Sequence, residues 1–452
     1  MVLTKTPLLA ETVRKLVSRG AFANAHRILE KLHPADVAQV LADLPEAYRL
    51  KTFRVVFQRD LNLAAAALGE FGVERAADLM PRLEPAEISQ LLQELDPDDA
   101  AEFLSELPEE LRERVLRGMR TREASDVEDL LQYPEETAGR IMSPKVFSVP
   151  EDATIGETIA RLQESPDVEM VFYIYVVDGH GTLVGVLSLR QLLQRRPEAL
   201  LSEVMVTDVL RVRTEMDQEE VAQLVASYNI LAVPVVNQQG KLVGVITVDD
   251  IIDVIKEEAT EDMYRMAGLG VSESVFTKAS RSIRMRIPWL TVNLATAFVA
   301  AWVVSLFEED IARFAILAVF MPMVPLLGGN AGNQTLTVMV RGIALGELSW
   351  KNSRQALLKE LAVGSANGLM IGILIAGVSW VWKGDPRIGL ALALAMIGTM
   401  VVAAVVGTLM PLTLRWLKVD PALASSVFVT TATDVSGFLL FLSIGVTALT
   451  HL

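Results

Sequence analysis

One acid stands alone in the last long apolar run of this chain. Asp434 is the only charge in ALASSVFVTTATDVSGFLLFLSIGVTAL (422–449), and Thr430, Thr431, Thr433, Ser436 and Gly437 surround it. An ionised carboxylate in hydrocarbon is expensive, so such a residue normally faces a bundle interior or a water path. Small hydroxyl residues allow close helix packing and offer oxygens to a hydrated cation. The pattern points to an ion site. The competing reading is a structural carboxylate hydrogen-bonded to a neighbouring helix.

A second segment, PMVPLLGGNAGNQTLTVMVRG (322–342), is apolar but badly suited to a straight helix. Pro322, Pro325, Gly328, Gly329 and Gly332 are poor helix formers. They predict a broken helix at membrane depth, which is tolerated only beside protein or water. Its freed carbonyls, with the amides of Asn330, Asn333 and Gln334, would add neutral oxygens to the single carboxylate. Such a lining suits a small divalent ion that dehydrates reluctantly and keeps its waters. The bland alternative is a close helix-packing motif.

A third feature is the acid run VDDIIDVIKEEATED (248–262), where Asp249, Asp250, Asp253, Glu257, Glu258, Glu261 and Asp262 stand against only Lys256. Helical spacing puts Asp250, Asp253 and Glu257 on one face and Glu258, Glu261 and Asp262 on a neighbouring stripe. Like charges this close oppose compaction unless cations lie between them. Taken alone, a charged helix face is more often simply solvated.

The elements that must carry these residues segregate along the chain. Of 452 residues, 51% are hydrophobic and 21% charged, with a net charge of −15. Charged residues crowd the chain up to about Arg286, and long apolar runs follow. That acidity argues against a nucleic-acid partner. Without cysteine, and with only four scattered histidines, disulfides, thiolate sites and zinc or copper centres are not expected. Hard cations that prefer carboxylate oxygens remain. Residues 1–30 show no secretory signal, so the soluble half is expected in the cytoplasm.

Residues 1–132 read as short helices. HPADVAQVLADLP (33–45), EPAEISQLLQELD (84–96) and DPDDAAEFLSELP (96–108) each open with a polar or acidic residue beside proline, a good helix start. Their recurrence suggests a small α-superhelix, with an irregular bundle nearly as good a reading. Next comes a twofold repeat. IMSPKVFSVPEDATIGETIARLQ (141–163) matches VMVTDVLRVRTEMDQEEVAQLV (204–225), and YIYVVDGHGTLVGVLSLRQLL (173–193) matches LAVPVVNQQGKLVGVITVDDII (231–252). Each copy reads strand, helix, β-hairpin, helix, which resembles a pair of CBS domains over 133–200 and 201–257. A charged linking helix over 258–283 leads to residues 284–452.

That last part holds five candidate spans, at roughly 287–306, 311–340, 361–382, 388–414 and 422–449, each long enough for the ~20 residues a bilayer core requires. Arg281, Arg284 and Arg286 precede the first. Arg341, Lys351, Arg354 and Lys359 follow the second, and Arg415 and Lys418 follow the fourth. The excess of positive charge puts those loops, and the N-terminus, in the cytoplasm and the C-terminus outside an inner membrane.

The order of helical domain, CBS pair, linking helix and five-helix all-α membrane domain looks like the MgtE family of magnesium channels over nearly the whole chain. GGNAGNQ (328–334) is similar to that family's Gly-Asn pore signature, and TDVSG (433–437) matches its pore-acid segment. The resemblance implies a homodimer with no obligate protein partner and a pore at the dimer axis. Asp434 would hold hydrated Mg2+ there with Thr430, Gly329, Asn330 and Asn333, and the ion would move passively. It also implies closure by intracellular Mg2+ bound at Asp98, Glu102, Asp217, Glu219, Asp250, Asp253, Glu258, Glu261, Asp262 and Asp420. Two positions depart from the family pattern, Ala66 and Asn229 standing where acids are expected, which weakens or removes some of those sites.

CBS pairs often bind adenosine nucleotides. Gly244, Thr247 and Asp250 fit that pattern, whereas the first copy has Ser188 and Gln191. ATP would be a modulator and not a fuel, since no P-loop occurs. The competing functions are a channel for Co2+ or Mn2+ and a non-conducting, membrane-anchored nucleotide sensor. No nucleophile–base pair supports an enzyme.

Overall fold

The structure is a computed structural model that describes residues 6–76, 79–165, 171–270, 273, 275 and 277–451. Parts of the expected helical, first CBS and linking ranges, at 1–5, 77–78, 166–170, 271, 272, 274 and 276, lie outside the described residues. The chain forms two compact units, 1–255 and 256–452.

The first unit opens with short helices from Thr6–Ser18 to Thr121–Leu131. Pro34, Pro85 and Pro97 each start a helix (Pro34–Asp43, Pro85–Leu92, Pro97–Ser105), where a missing amide hydrogen costs nothing. Before Pro85–Leu92, the Glu84 amide donates to the Glu87 carboxylate at 2.9 Å, closing the first turn. Val13, Leu29, Val37, Phe53, Leu68, Leu91 and Leu104 form the shared core.

Two matching three-stranded sheets follow. In the first, β1 (Ser148–Pro150) runs parallel to β2 (Tyr173–Val177), which pairs antiparallel with β3 (Leu183–Ser188). In the second, β4 (Val212–Arg213), β5 (Ala232–Val236) and β6 (Leu242–Thr247) repeat the order. The hairpins use one chemistry. Asp178 accepts from the amides of His180 and Thr182, and Asn237 from those of Gln239 and Lys241. Gly181 (φ +81°) and Gly240 (φ +77°) supply the left-handed residue. The helices between strands, Ile155–Gln163 and Gln218–Tyr228, are capped by Thr154 and Asp217. The departure at Asn229 has a local role. Asn229 ends its helix in the left-handed conformation (φ +50°), which suits asparagine.

The linking helix is Val248–Met266. It starts inside the range expected for the second CBS copy because Asp250 accepts from both the amide and the hydroxyl of Thr247, at 3.0 and 2.7 Å. Residues 279–283, expected in the linker, already belong to the next helix.

The second unit has five helices long and apolar enough to cross a membrane: Ala279–Ser305, Ile316–Ala344, Ser353–Lys383, Pro386–Trp416 and Ser426–His451. In chain order they are the first to fifth spans. The expectation of a break at the Gly-Asn segment fails. GGNAGNQ lies inside an unbroken helix, Met323–Ala344, and the interruption falls upstream, between Ile316–Phe320 and Met323. Pro325 sits in the first turn of that helix, where no intrahelical donor is required. The glycines create contact instead of freeing carbonyls. A Cβ on Gly328 would lie 2.4 Å from Thr399 Cγ2, and one on Gly332 would lie 2.5 Å from Val429 Cγ1. The third and fourth spans use the same device, with Gly364, Gly368 and Gly372 lying on Met400, Ile397 and Ala393.

Candidate cation sites in the two units

The two outliers of the membrane sequence meet. Thr433, fully buried, turns its hydroxyl to the carbonyls of Val429 and Thr430, both 2.9 Å away. Its side chain lies 3.6 Å from where a Cβ would stand on each of Gly328, Gly329 and Gly332. One turn further the contact is tighter: a Cβ on Gly437 would stand 3.1 Å from the Pro325 Cα. The second and fifth spans therefore cross at the residue next to Asp434.

The side chains around this crossing divide by polarity. Gly328, Gly329 and Gly332 are buried, whereas Asn330, Asn333, Gln334 and Thr337 are exposed. Their spacing puts the four exposed side chains on one helix face. On the fifth span Thr430 is exposed and Asp434 half-buried. Asp434 has no hydrogen-bond or ion-pair partner among the described residues, so the structural-carboxylate reading finds no support in this chain.

A buried acid missed in the sequence lies nearby. Glu360, in the third span, is 4% exposed. It accepts from the hydroxyl of Thr335, in the Gly-Asn helix, at 3.0 Å and pairs with Lys359. It sits just outside the apolar run that reads as a span, in KELAVG, and its depth is not visible from composition.

In the first unit, Asp98 and Asp250 are brought together with Asp96, Asp99, Asp249 and Asp253. Asp98 is held well above the usual carboxylate range, by burial first and then by Asp250, Asp99 and Asp96. Its Oδ1 is buried with no hydrogen-bond partner among the described residues. Asp99 is pushed up to about 7, by desolvation first and then by Asp250, Asp96, Asp253 and Asp249. Its side chain still reaches solvent, so the four neighbouring charges, and not burial alone, hold it up. Asp250 rises to about 6 through burial, against the two hydrogen bonds from Thr247 and with the charges of Asp249 and Asp96. Lys145 lies close by, 2.9 Å from Asp96. Sequence reasoning overlooks Asp99 beside Asp98 in PDDAAEF.

The remaining expected ligands of this unit lie elsewhere. Asp217 caps Gln218–Tyr228 by accepting from the Glu219 amide at 2.9 Å, and Glu219 accepts from Gln223. The charge of Glu102 acts on Arg140, which ties its helix to the following segment through Ser105 and the Ala101 carbonyl. Ala66 is exposed.

In the second unit, Glu258, Asp262 and Asp420 converge. Asp262 rises to about 6, by burial first and then by Asp420 and Glu258. Glu261 and Asp420 share Arg265 as an ion-pair partner. Asp420 also accepts from the Ala422 amide at 2.7 Å, at the start of the helix Pro421–His451. Arg265 is readable from its i+4 spacing to Glu261.

All these donors are hard oxygens, and the orphaned Asp98 oxygen wants a positive partner, so the donor set fits Mg2+ or Ca2+. Among the described residues no three His, Asp or Glu side chains form a ready-made cage. The arrangement is one of carboxylates close enough to repel one another. Of the nucleotide candidates, Thr247 and Asp250 are bonded to each other.

Comparison with known proteins agrees with this anatomy. Residues 321–444 match the MgtE divalent cation transporter family, 32–136 the MgtE intracellular N domain, and 138–198 and 201–257 the CBS domain. The magnesium transporter MgtE of Bacillus subtilis is 33% identical over 437 residues, 96% of each chain. That of Thermus thermophilus is 34% identical over 444 residues, 96% of this chain and 97% of its own. A crystal structure of the cytosolic domain of the Mg2+ channel MgtE in complex with ATP superposes with a TM-score of 0.51 at 35% identity, covering 54% of this chain and 99% of that one. The chain is a multi-pass membrane protein and belongs to the MgtE family of magnesium transporters.

Proposed function

We propose that this chain is a homodimeric channel that passes hydrated Mg2+ passively into the cytoplasm and closes when intracellular Mg2+ binds its acidic groups. The observation that carries the proposal is the polar face at membrane depth. Asn330, Asn333, Gln334, Thr337, Thr430 and half-buried Asp434 are uncovered in a single chain. Lipid would not accept that face, so a second copy and water must cover it. Asp434 and the amides then hold the ion through its own waters, which suits a cation that gives them up reluctantly.

Closure follows from the carboxylate groups. Without a divalent cation, the acids around Asp98 and Asp250, and those around Asp262 and Asp420, repel. With Mg2+ between them each group becomes compact. Moving a gate from 1:99 to 99:1 needs ~5.5 kcal/mol of differential binding, which several weak sites can supply jointly. The soluble unit and the N-terminus face the cytoplasm and the C-terminus lies outside, as the arginine and lysine loops imply. ATP modulates through Thr247 and Asp250, as the nucleotide-bound relative suggests. Because Asp250 belongs to the acid group as well, nucleotide and cation would influence one another there.

The test is Mg2+ flux in reconstituted vesicles with internal Mg2+ varied and Asp434→Ala as control. Flux in the parent that falls as internal Mg2+ rises, and flux roughly a hundredfold lower in Asp434→Ala, is the expected result. Parent-like conduction by Asp434→Ala would refute the pore.

A further inference from the structure

The Gly-Asn helix can present its amides to a pore only if its rotation about its own axis is fixed. Glycines cannot fix it, because they interlock by shape without a directional bond. The one directional contact on the buried side of this segment, among the described residues, is the hydrogen bond from Thr335 to Glu360. Thr335 is 8% exposed and Glu360 4%. Thr335 is also held from the fourth span, since a Cβ on Gly407 would stand 2.9 Å from the Gly332 carbonyl oxygen and 3.0 Å from Thr335 Cβ. Thr335 directly follows Gln334 and lies two residues from Asn333, about half a turn away, so a hydrogen bond at Thr335 points those amides outward.

We infer that Glu360 is a positioning residue of the permeation path: its carboxylate clamps Thr335 and thereby sets which face of the Gly-Asn helix meets the ion. A carboxylate buried here would be costly without partners. Thr335 on one oxygen and Lys359 on the other supply them. Lys359 keeps 59% of its side chain exposed, so it reaches toward the membrane edge while Glu360 points inward. The inference rests on the pore reading above for its functional meaning, but the rotation of the helix can be read without conduction.

The chain has no cysteine, so a single introduced thiol is a unique reporter. Asn333→Cys probes the exposed face and Leu336→Cys the buried one, each in full-length protein in vesicles with a charged, membrane-impermeant thiol reagent applied to both sides. The expected parent pattern is rapid labelling at Asn333→Cys and none at Leu336→Cys. Adding Thr335→Val or Glu360→Ala should slow the first and expose the second by about tenfold, the scale of a lost buried hydrogen bond. Glu360→Gln and Thr335→Ser, which keep that bond, should retain the parent pattern. In flux assays the Mg2+ concentration for half-maximal rate should follow the labelling, which a mere loss of folded protein would not cause.

Unchanged labelling in Thr335→Val and Glu360→Ala overturns the inference, and so does Glu360→Gln behaving like Glu360→Ala, which would make the charge the active feature. If Glu360→Ala fails to fold, Thr335→Val removes the same bond from the other side and decides alone. Failure of Asn333→Cys to label in the parent sinks the water-lined pore instead, and Leu336→Cys still reports on Glu360.

Discussion

The first unit and the apolar helices of the second handle negative charge in opposite ways. In the first, six aspartates, Asp98 among them, share a small region, with Lys145 paired to Asp96, and three of the six are held above the ordinary carboxylate range. In the second, the long apolar helices carry Asp434 without a partner among the described residues, and Glu360 fully engaged. The contrast follows from solvent. Carboxylates near water can be crowded because protons, counterions or small movements relieve the repulsion. A charge in hydrocarbon has no such relief, so each one must be single and either paired or served by water.

Removing the lone acid should have the larger consequence. Asp434→Ala is expected to lower Mg2+ flux roughly a hundredfold, the rate equivalent of the ~3 kcal/mol at stake for a charge at mid-membrane. Vesicle uptake measures it, and a small loss would erase the contrast. Packing at the crossing comes next. Gly332→Val would drive its side chain against Val429 and should cost about 1–3 kcal/mol. Gly329→Ala, with 3.6 Å of room before Thr433, should be mild. Thermal unfolding in detergent compares them, and equal stability of both variants would revive the broken-helix expectation.

In the crowded unit, loss of charge should leave conduction intact and shift control. Asp98→Asn with Asp250→Asn is expected to raise the internal Mg2+ needed for half-closure about tenfold, within the usual span of coupling energies. Flux against internal Mg2+ reads it, and an unchanged midpoint would remove this group from the gate.

The smallest effect is one of pH. Asp98, Asp99 and Asp250 have folded pKa values raised above the unfolded value near 3.8, so the native state binds more protons than the unfolded one. Metal-free stability should therefore fall as pH rises from about 4 to about 7 and level off above. Mg2+ should stabilise more at pH 8 than at pH 6, taking over the protons' role. Protease resistance of the full chain in chelator and in Mg2+ tests both signs. Metal-free resistance that rises with pH over this range would contradict the repulsion.

Much of the fold is legible in the sequence because it depends on local chemistry. Prolines at first turns, the repeated Asp178 and Asn237 hairpins and the five long apolar runs are each written within a few residues. The Gly-Asn segment misleads because helix propensity treats glycine as a breaker, whereas contact with Thr399 and Val429 turns it into a packing surface. Glu360 and Asp99 escape notice because their partners lie far away in sequence.

The sequence by itself determined that the chain has an acidic soluble part, a CBS-like repeat and a membrane part with one unexplained acid, since composition and periodicity report which solvent each segment can tolerate. Only the tertiary structure decided that Thr433 brings the Gly-Asn helix beside Asp434, that Asp98 faces Asp250, and that Thr335 is clamped by Glu360. Those pairings join residues far apart along the chain, and only close packing between separate elements can bring them together.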